Sequence, residues 1–81
     1  MNHLSTNLKK MRMHHGMTQA EAAERLGVQR SRYSGWENGM SEPCLDMLLA
    51  ASTLMKMSVG IMLTKDLAQL TKEDINRLLK L

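Results

Sequence analysis

The stretch "TQAEAAERLGVQRSRYSGWENG", residues 18–39, constrains this chain more than any other. It holds two short apolar periods broken by a single glycine. Thr18 followed by Glu21 three residues on is a capping box, the start of a helix. Ala22, Ala23 and Leu26 give that helix a small apolar side, and Gly27 ends it in the left-handed conformation that glycine adopts cheaply. Val28, Tyr33 and Trp36 supply a second apolar period with almost no loop between, and "ENG" ends it at Gly39. The first helix is expected at about 18–26 and the second at about 29–36. Two short helices joined at one glycine form a helix-turn-helix pattern.

The residue types fit that geometry. Two alanines let the first helix approach the second closely. Tyr33 and Trp36, three apart, share the inward face with Val28, so they are read as core rather than as a stacking pair for single-stranded bases. Arg30, Ser31, Ser34 and Gly35 then fall on the opposite face, which contains no acid. An α-helix fits the major groove of B-DNA, where such a face reaches base edges.

The flanks are helical too. Ser5 is expected to cap a helix that carries Leu8, Met11 and His15 on one face and stops at Gly16. Pro43 marks the start of another, about Cys44 to Lys56, with Leu45, Leu48, Ser52 and Met55 as its inward stripe. Ser58 can cap a short helix in "VGIML". Thr71, with Asp74 three residues on, opens the last helix in "LTKEDINRLLKL". With one Trp, one Tyr and no Phe, the core must be filled by Leu, Ala and the nine methionines. Leu, Ala and Met favour helices, so the composition points to an all-α fold. At 81 residues there is room for one small domain.

Charge is uneven. Residues 1–36 carry six lysines and arginines against Glu21 and Glu24, a net of +4, while residues 37–81 carry five basic and six acidic side chains, a net of −1. A basic N-terminal half attracts polyanions. The lone Cys44 excludes an internal disulfide and suits a reducing cytoplasm. "MNHLSTNLKK" has no apolar core of a signal peptide, and "MLLAA" is far short of the roughly 20 residues of a membrane span. Neither a phosphate-cradling glycine loop nor a nucleophile with a base partner is present, so an enzyme is not expected. His3, His14, His15 and Cys44 lack metal-ligand spacing, and the adjacent His14 and His15 are expected to complement the dipole at a helix end. No metal, cofactor or small-molecule ligand is expected.

"TQAEAAERLGV", "YSGWENG" and "EPCLDMLL" together resemble the Cro and phage-repressor helix-turn-helix family over about Leu8 to Leu63. The resemblance implies a five-helix lambda-repressor-like DNA-binding domain in residues 1–65, with an added C-terminal helix in 66–81. It implies base reading by Arg30 and Ser31, flanked by Gln29 and Ser34. Gly35 stands at another base-reading position, where it offers no side chain. Gln19 would hold a DNA phosphate at the positive end of its helix, and Arg32 and Asn38 would contact the backbone. The loop "GMSEP" lacks the lysines frequent there and carries Glu42. Arg12 and Glu37 stand where the family forms a partly buried ion pair.

Apolar residues exceed what this core needs. Leu54, Ile61, Met62, Leu67, Leu70, Ile75, Leu78 and Leu79 are expected at a homodimer interface, with 66–81 as the dimerising extension. Two copies on a pseudo-palindromic operator would act as a transcriptional regulator, a repressor by exclusion or an activator by touching polymerase. The alternative is an antitoxin, whose apolar tail neutralises a toxin while its DNA binding autoregulates the operon.

Overall fold

Leu4, Leu8 and Met11 recur at helical spacing and are buried together on α1 (Leu4–His14). The computed structural model describes residues 2–79, so positions 80 and 81 of the expected extension lie outside it. α1 starts one residue before the expected Ser5 cap, because Asn2 Oδ1 accepts from the Leu4 amide at 2.9 Å. Then come α2 (Gln19–Leu26), α3 (Arg30–Glu37), α4 (Leu45–Met55), α5 (Val59–Thr64), a 3-10 turn at Leu67–Gln69 and α6 (Lys72–Leu79). All six helices are short, and no strand occurs among the described residues.

The caps read from the sequence explain most boundaries. Thr18 Oγ1 accepts from the Glu21 amide at 3.1 Å, and Glu21 Oε1 accepts from the Thr18 amide at 2.9 Å. Gly27 closes α2 at φ +72°. Ser58 and Thr71 accept from the amides of Ile61 and Asp74. One boundary breaks the pattern: Lys56 ends α4 in the left-handed region at φ +57°, where glycine would be cheaper. The turn is held by the Lys56 and Met57 amides, which donate to the carbonyls of Thr53 and Ser52.

The core lies between α1, α2, α3 and α4, and is floored by α5 and the chain that follows. Met11, Met17, Met55, Met57 and Met62 are buried in it beside Tyr33 and Trp36, so methionine fills the space that phenylalanine would otherwise take. The inward stripe of α4 is rotated from the expected one. It runs through Leu48, Ala51 and Met55, while Leu45 is 69% exposed. Ala51 is fully buried, and its small side chain suits the close packing of α2 on α4.

The C-terminal segment corrects a second expectation. Met62, Leu67 and Ile75 are fully buried in the chain's own core, so in this conformation they offer no surface to a second copy. The cause is Asn7, fully buried on α1. Its Nδ2 donates to the carbonyls of Met62 and Lys65 at 2.8 and 2.6 Å, and its Oδ1 accepts from the Leu67 amide at 3.2 Å. The clamp folds the chain after α5 back over α1 and drops Leu67 into the core. Burying an Ile or Leu is worth about 1.5–3 kcal/mol, so Leu67 and Ile75 hold the tail with about 3–6 kcal/mol as an upper estimate. Leu54, Ile61, Leu70, Leu78 and Leu79 are half-buried and pack against this core with one side.

Candidate nucleic-acid interface

The turn at Gly27 sets α3 across α2, and three buried residues fix its rotation. Tyr33, Trp36 and Glu37 point inward, and the two rings meet edge to face with centroids 5.8 Å apart. Gln29, Arg30, Ser31 and Arg32 are therefore exposed on the other side, and none of them is acidic. Arg32 leaves that group partly: its guanidinium sits 5.9 Å from the centre of the Trp36 ring, a cation–π contact. Arg30 and Ser31 project from the first turn of α3, where the positive end of the helix adds to the Arg30 charge.

The buried acid on α3 has its expected partner. Arg12 Nε donates to Glu37 Oε2 at 2.7 Å and Nη2 to Oε1 at 3.2 Å, while Nη1 donates to the Met17 carbonyl at 2.8 Å. The fork ties α1 to the end of α3. Gln19 joins it, donating from Nε2 to Glu37 Oε1 at 3.1 Å. One of its two side-chain N–H groups is thus engaged within the protein, which leaves the other to donate elsewhere, and the first residue of α2 is held against α3. The Tyr33 hydroxyl is buried beside the pair without a hydrogen bond of regular geometry. Burial foremost, and then the Glu37 carboxylate, push its pKa up, so it stays protonated.

The far end of α3 is tied to itself and to the next loop. Asn38 Nδ2 donates to Ser34 Oγ at 3.3 Å. Gly35 is half-buried, and a Cβ placed on it would lie 3.0 Å from Ser41 Oγ. Its lack of a side chain is thus also a packing feature.

One expectation about α1 changes. His14 and His15 do not simply face the helix end. His14 Nε2 meets Asn76 Oδ1 of α6 at 3.0 Å, and His15 Nε2 meets the Met55 carbonyl of α4 at 2.7 Å. Both are bridges between helices. Cys44 is exposed at the start of α4 and makes no side-chain cap. No helix among the described residues is long and apolar enough to cross a membrane. Sequence reasoning missed Asn7 and Ser41. Asn7 had a signal, since it falls three residues after Leu4 on the buried face of α1. Ser41 had none, because its place depends on how the loop folds.

Similarity to known proteins agrees with this geometry. Residues 8–61 match the helix-turn-helix family model. The chain is 38% identical over 63 residues to HTH-type transcriptional regulator ImmR of Bacillus subtilis (strain 168), covering 78% of this chain and 50% of that protein. It is 36% identical over 59 residues to the uncharacterized HTH-type transcriptional regulator YqaE of the same organism, covering 73% and 51%. The chain thus spans about half the length of these curated relatives. Among solved structures it superposes on the SinR protein/SinI protein complex with a TM-score of 0.74 at 25% identity, covering 91% of this chain and 73% of that one. A transcriptional regulator from Listeria innocua superposes with a TM-score of 0.72 at 20% identity, covering 94% and 85%, and shows the shared fold. By the match over residues 8–61, which include the two helices joined at Gly27, the chain belongs to the Cro/C1-type helix-turn-helix family.

Proposed function

We propose that the protein is a sequence-specific binder of double-stranded DNA that regulates transcription as a homodimer, most simply as a repressor. The observation that carries the reading is the outward face of α3. It is exposed, basic and acid-free, and it is held in one rotation by buried Tyr33, Trp36 and Glu37. In this reading Arg30 and Ser31 read bases, with Gln29 and Ser34 beside them. Gln19, Arg32 and Asn38 hold the phosphate backbone. The names of the curated relatives support the regulatory role.

A single small module makes few contacts, and two copies double them. We assign residues 1–65 to DNA binding and 66–81 to pairing of subunits, through the outward sides of Leu70, Leu78 and Leu79, joined by Leu54 and Ile61 of α4 and α5. The same face would serve a protein partner instead, and SinR was solved in complex with SinI. Mass measurement in solution separates the two: a stable dimer supports the first reading and a monomer the second.

Selection from random duplex DNA tests the whole. The expected result is a pseudo-palindrome with half-sites one helical turn, about 34 Å, apart. Recovery of no preferred sequence would refute the reading. Arg30→Ala should cost about 1–3 kcal/mol and relax preference at one base-pair position. Equal loss on every sequence would make Arg30 a phosphate contact. Gln19→Ala should weaken binding to all sequences alike, as measured by titration on specific and random duplexes; a sequence-dependent loss would overturn its assignment.

A further inference from the structure

We propose that Ser41, in the loop after α3, supplies the polar group that Gly35 leaves out of the reading face. The inference rests on the DNA-reading role proposed above for α3. It starts from the way the helix ends. Gly39 is left-handed at φ +74°, the Met40 amide donates to the Gly35 carbonyl at 2.9 Å, and the Gly39 amide donates to the Trp36 carbonyl at 3.4 Å. This is a Schellman ending, which folds the chain back over the last turn of the helix. An apolar residue after such a glycine usually packs on the side chain three places before the cap. Here that position is Gly35, so Met40 has nothing to pack on and stands 84% exposed.

The space above Gly35 goes to the next residue. The Ser41 amide also donates to the Gly35 carbonyl, at 3.3 Å, and Ser41 Oγ lies 3.0 Å from where a Cβ of residue 35 would be. The hydroxyl therefore borders the space that a side chain at 35 would enter. Ser41 is exposed, and Gly35 lies half-buried beneath it. The polar neighbours at this end, Ser34 and Asn38, are bonded to each other. A serine hydroxyl both donates and accepts, and a base edge with no polar atom within its reach forfeits the bond, so it discriminates at one position, less sharply than a bidentate arginine. The reading head is thus composite: Arg30 and Ser31 come from the helix, and Ser41 comes from the loop that the helix terminus folds onto it.

The test measures affinity for the selected operator and its single-base-pair variants, using the unaltered protein, Ser41→Ala, Gly35→Ala and the double variant. Ser41→Ala should reduce discrimination at one base-pair position per half-site about three- to tenfold, the size of one hydrogen bond. The position read by Arg30 should be unaffected. Gly35→Ala should produce a loss of at most that size at the same position, because its methyl group at 3.0 Å presses the hydroxyl off its place, and it should add nothing in the Ser41→Ala background. Uniform loss on all sequences would make Ser41 a phosphate contact, and an unchanged profile would make it a bystander; either overturns the inference. If the unaltered protein discriminates no sequence, the DNA-reading proposal itself has failed. A discriminating protein indifferent to Ser41→Ala sinks only the role of Ser41.

Discussion

Replacing Glu37 by Ala is expected to cost about 3–5 kcal/mol and to lower the melting temperature by more than about 10 °C. Burial decides the size of this effect. An exposed ion pair contributes only about 0–1 kcal/mol, but here the side chains of Glu37 and Arg12 are 1% and 11% exposed. Removing the carboxylate strands a guanidinium that has two of its donors aimed at the vacated site, and it releases Gln19 as well. Domains of this kind are stable by about 5–15 kcal/mol, so the loss is a large share. The pair as a whole need not add that much, because both ions are desolvated to form it. Glu37→Gln keeps the shape and drops the charge, so its melt should fall between the other two. An Ala variant that melts within about 3 °C of the unaltered protein would contradict the argument.

The same pair gives stability a pH dependence of known sign. Burial alone would raise the Glu37 pKa, but hydrogen bonds, from Arg12 foremost, outweigh it and hold the carboxyl below the ordinary glutamate value. A depressed folded value means that the stabilisation is fully present above the unfolded pKa, about 4.3, and is lost as pH falls through the folded one. Glu21 and Asp74 are lowered as well, chiefly by the backbone amides they accept from at Thr18 and Thr71, and both act in the same direction. Glu37→Gln keeps those two, so the difference in acid slope between it and the unaltered protein isolates Glu37.

Local chemistry makes the helix-turn-helix legible in the sequence. The capping box at Thr18 and Glu21, the left-handed Gly27 and the inward pair Tyr33 and Trp36 each follow from one or two neighbouring residues. Arg12 with Glu37 was legible only through family resemblance, since the two are 25 positions apart. What could not be read is long-range or depends on rotation. The α4 stripe runs through Ala51 instead of Ser52 and leaves Leu45 exposed, because close packing of α2 on α4 favours the small apolar residue. Leu67 and Ile75 look like spare apolar surface until the fold of the tail is known. The loop position of Ser41 needed the full ending of α3, and hydrophobic periodicity does not encode that.

The tail fold rests on Asn7, and its replacement by Leu is expected to destabilise by about 3 kcal/mol or more. The swap is close in shape, so the cavity contribution is small. The polar loss is what counts. The carbonyls of Met62 and Lys65 and the amide of Leu67 lose their partner, and a buried backbone group left unpaired costs about 1–3 kcal/mol. Added apolar burial by the leucine returns only part of this. The damage should also be uneven. Leu67 and Ile75 reach the core because the clamp turns the chain after α5, so opening it should release the 3-10 turn and α6 before it disturbs α2 and α3. Amide hydrogen exchange checks this: protection should fall first at Leu67 and through Lys72–Leu79, with α3 protected up to global unfolding. An even rise in exchange over all six helices would mean that Asn7 holds the core in general. An unchanged melt would mean that it holds nothing. A variant with the tail released and α3 intact also separates the two surfaces assigned here. It should still bind DNA through Arg30 and Ser31 while its self-association changes, which tests whether pairing depends on where the clamp puts α6.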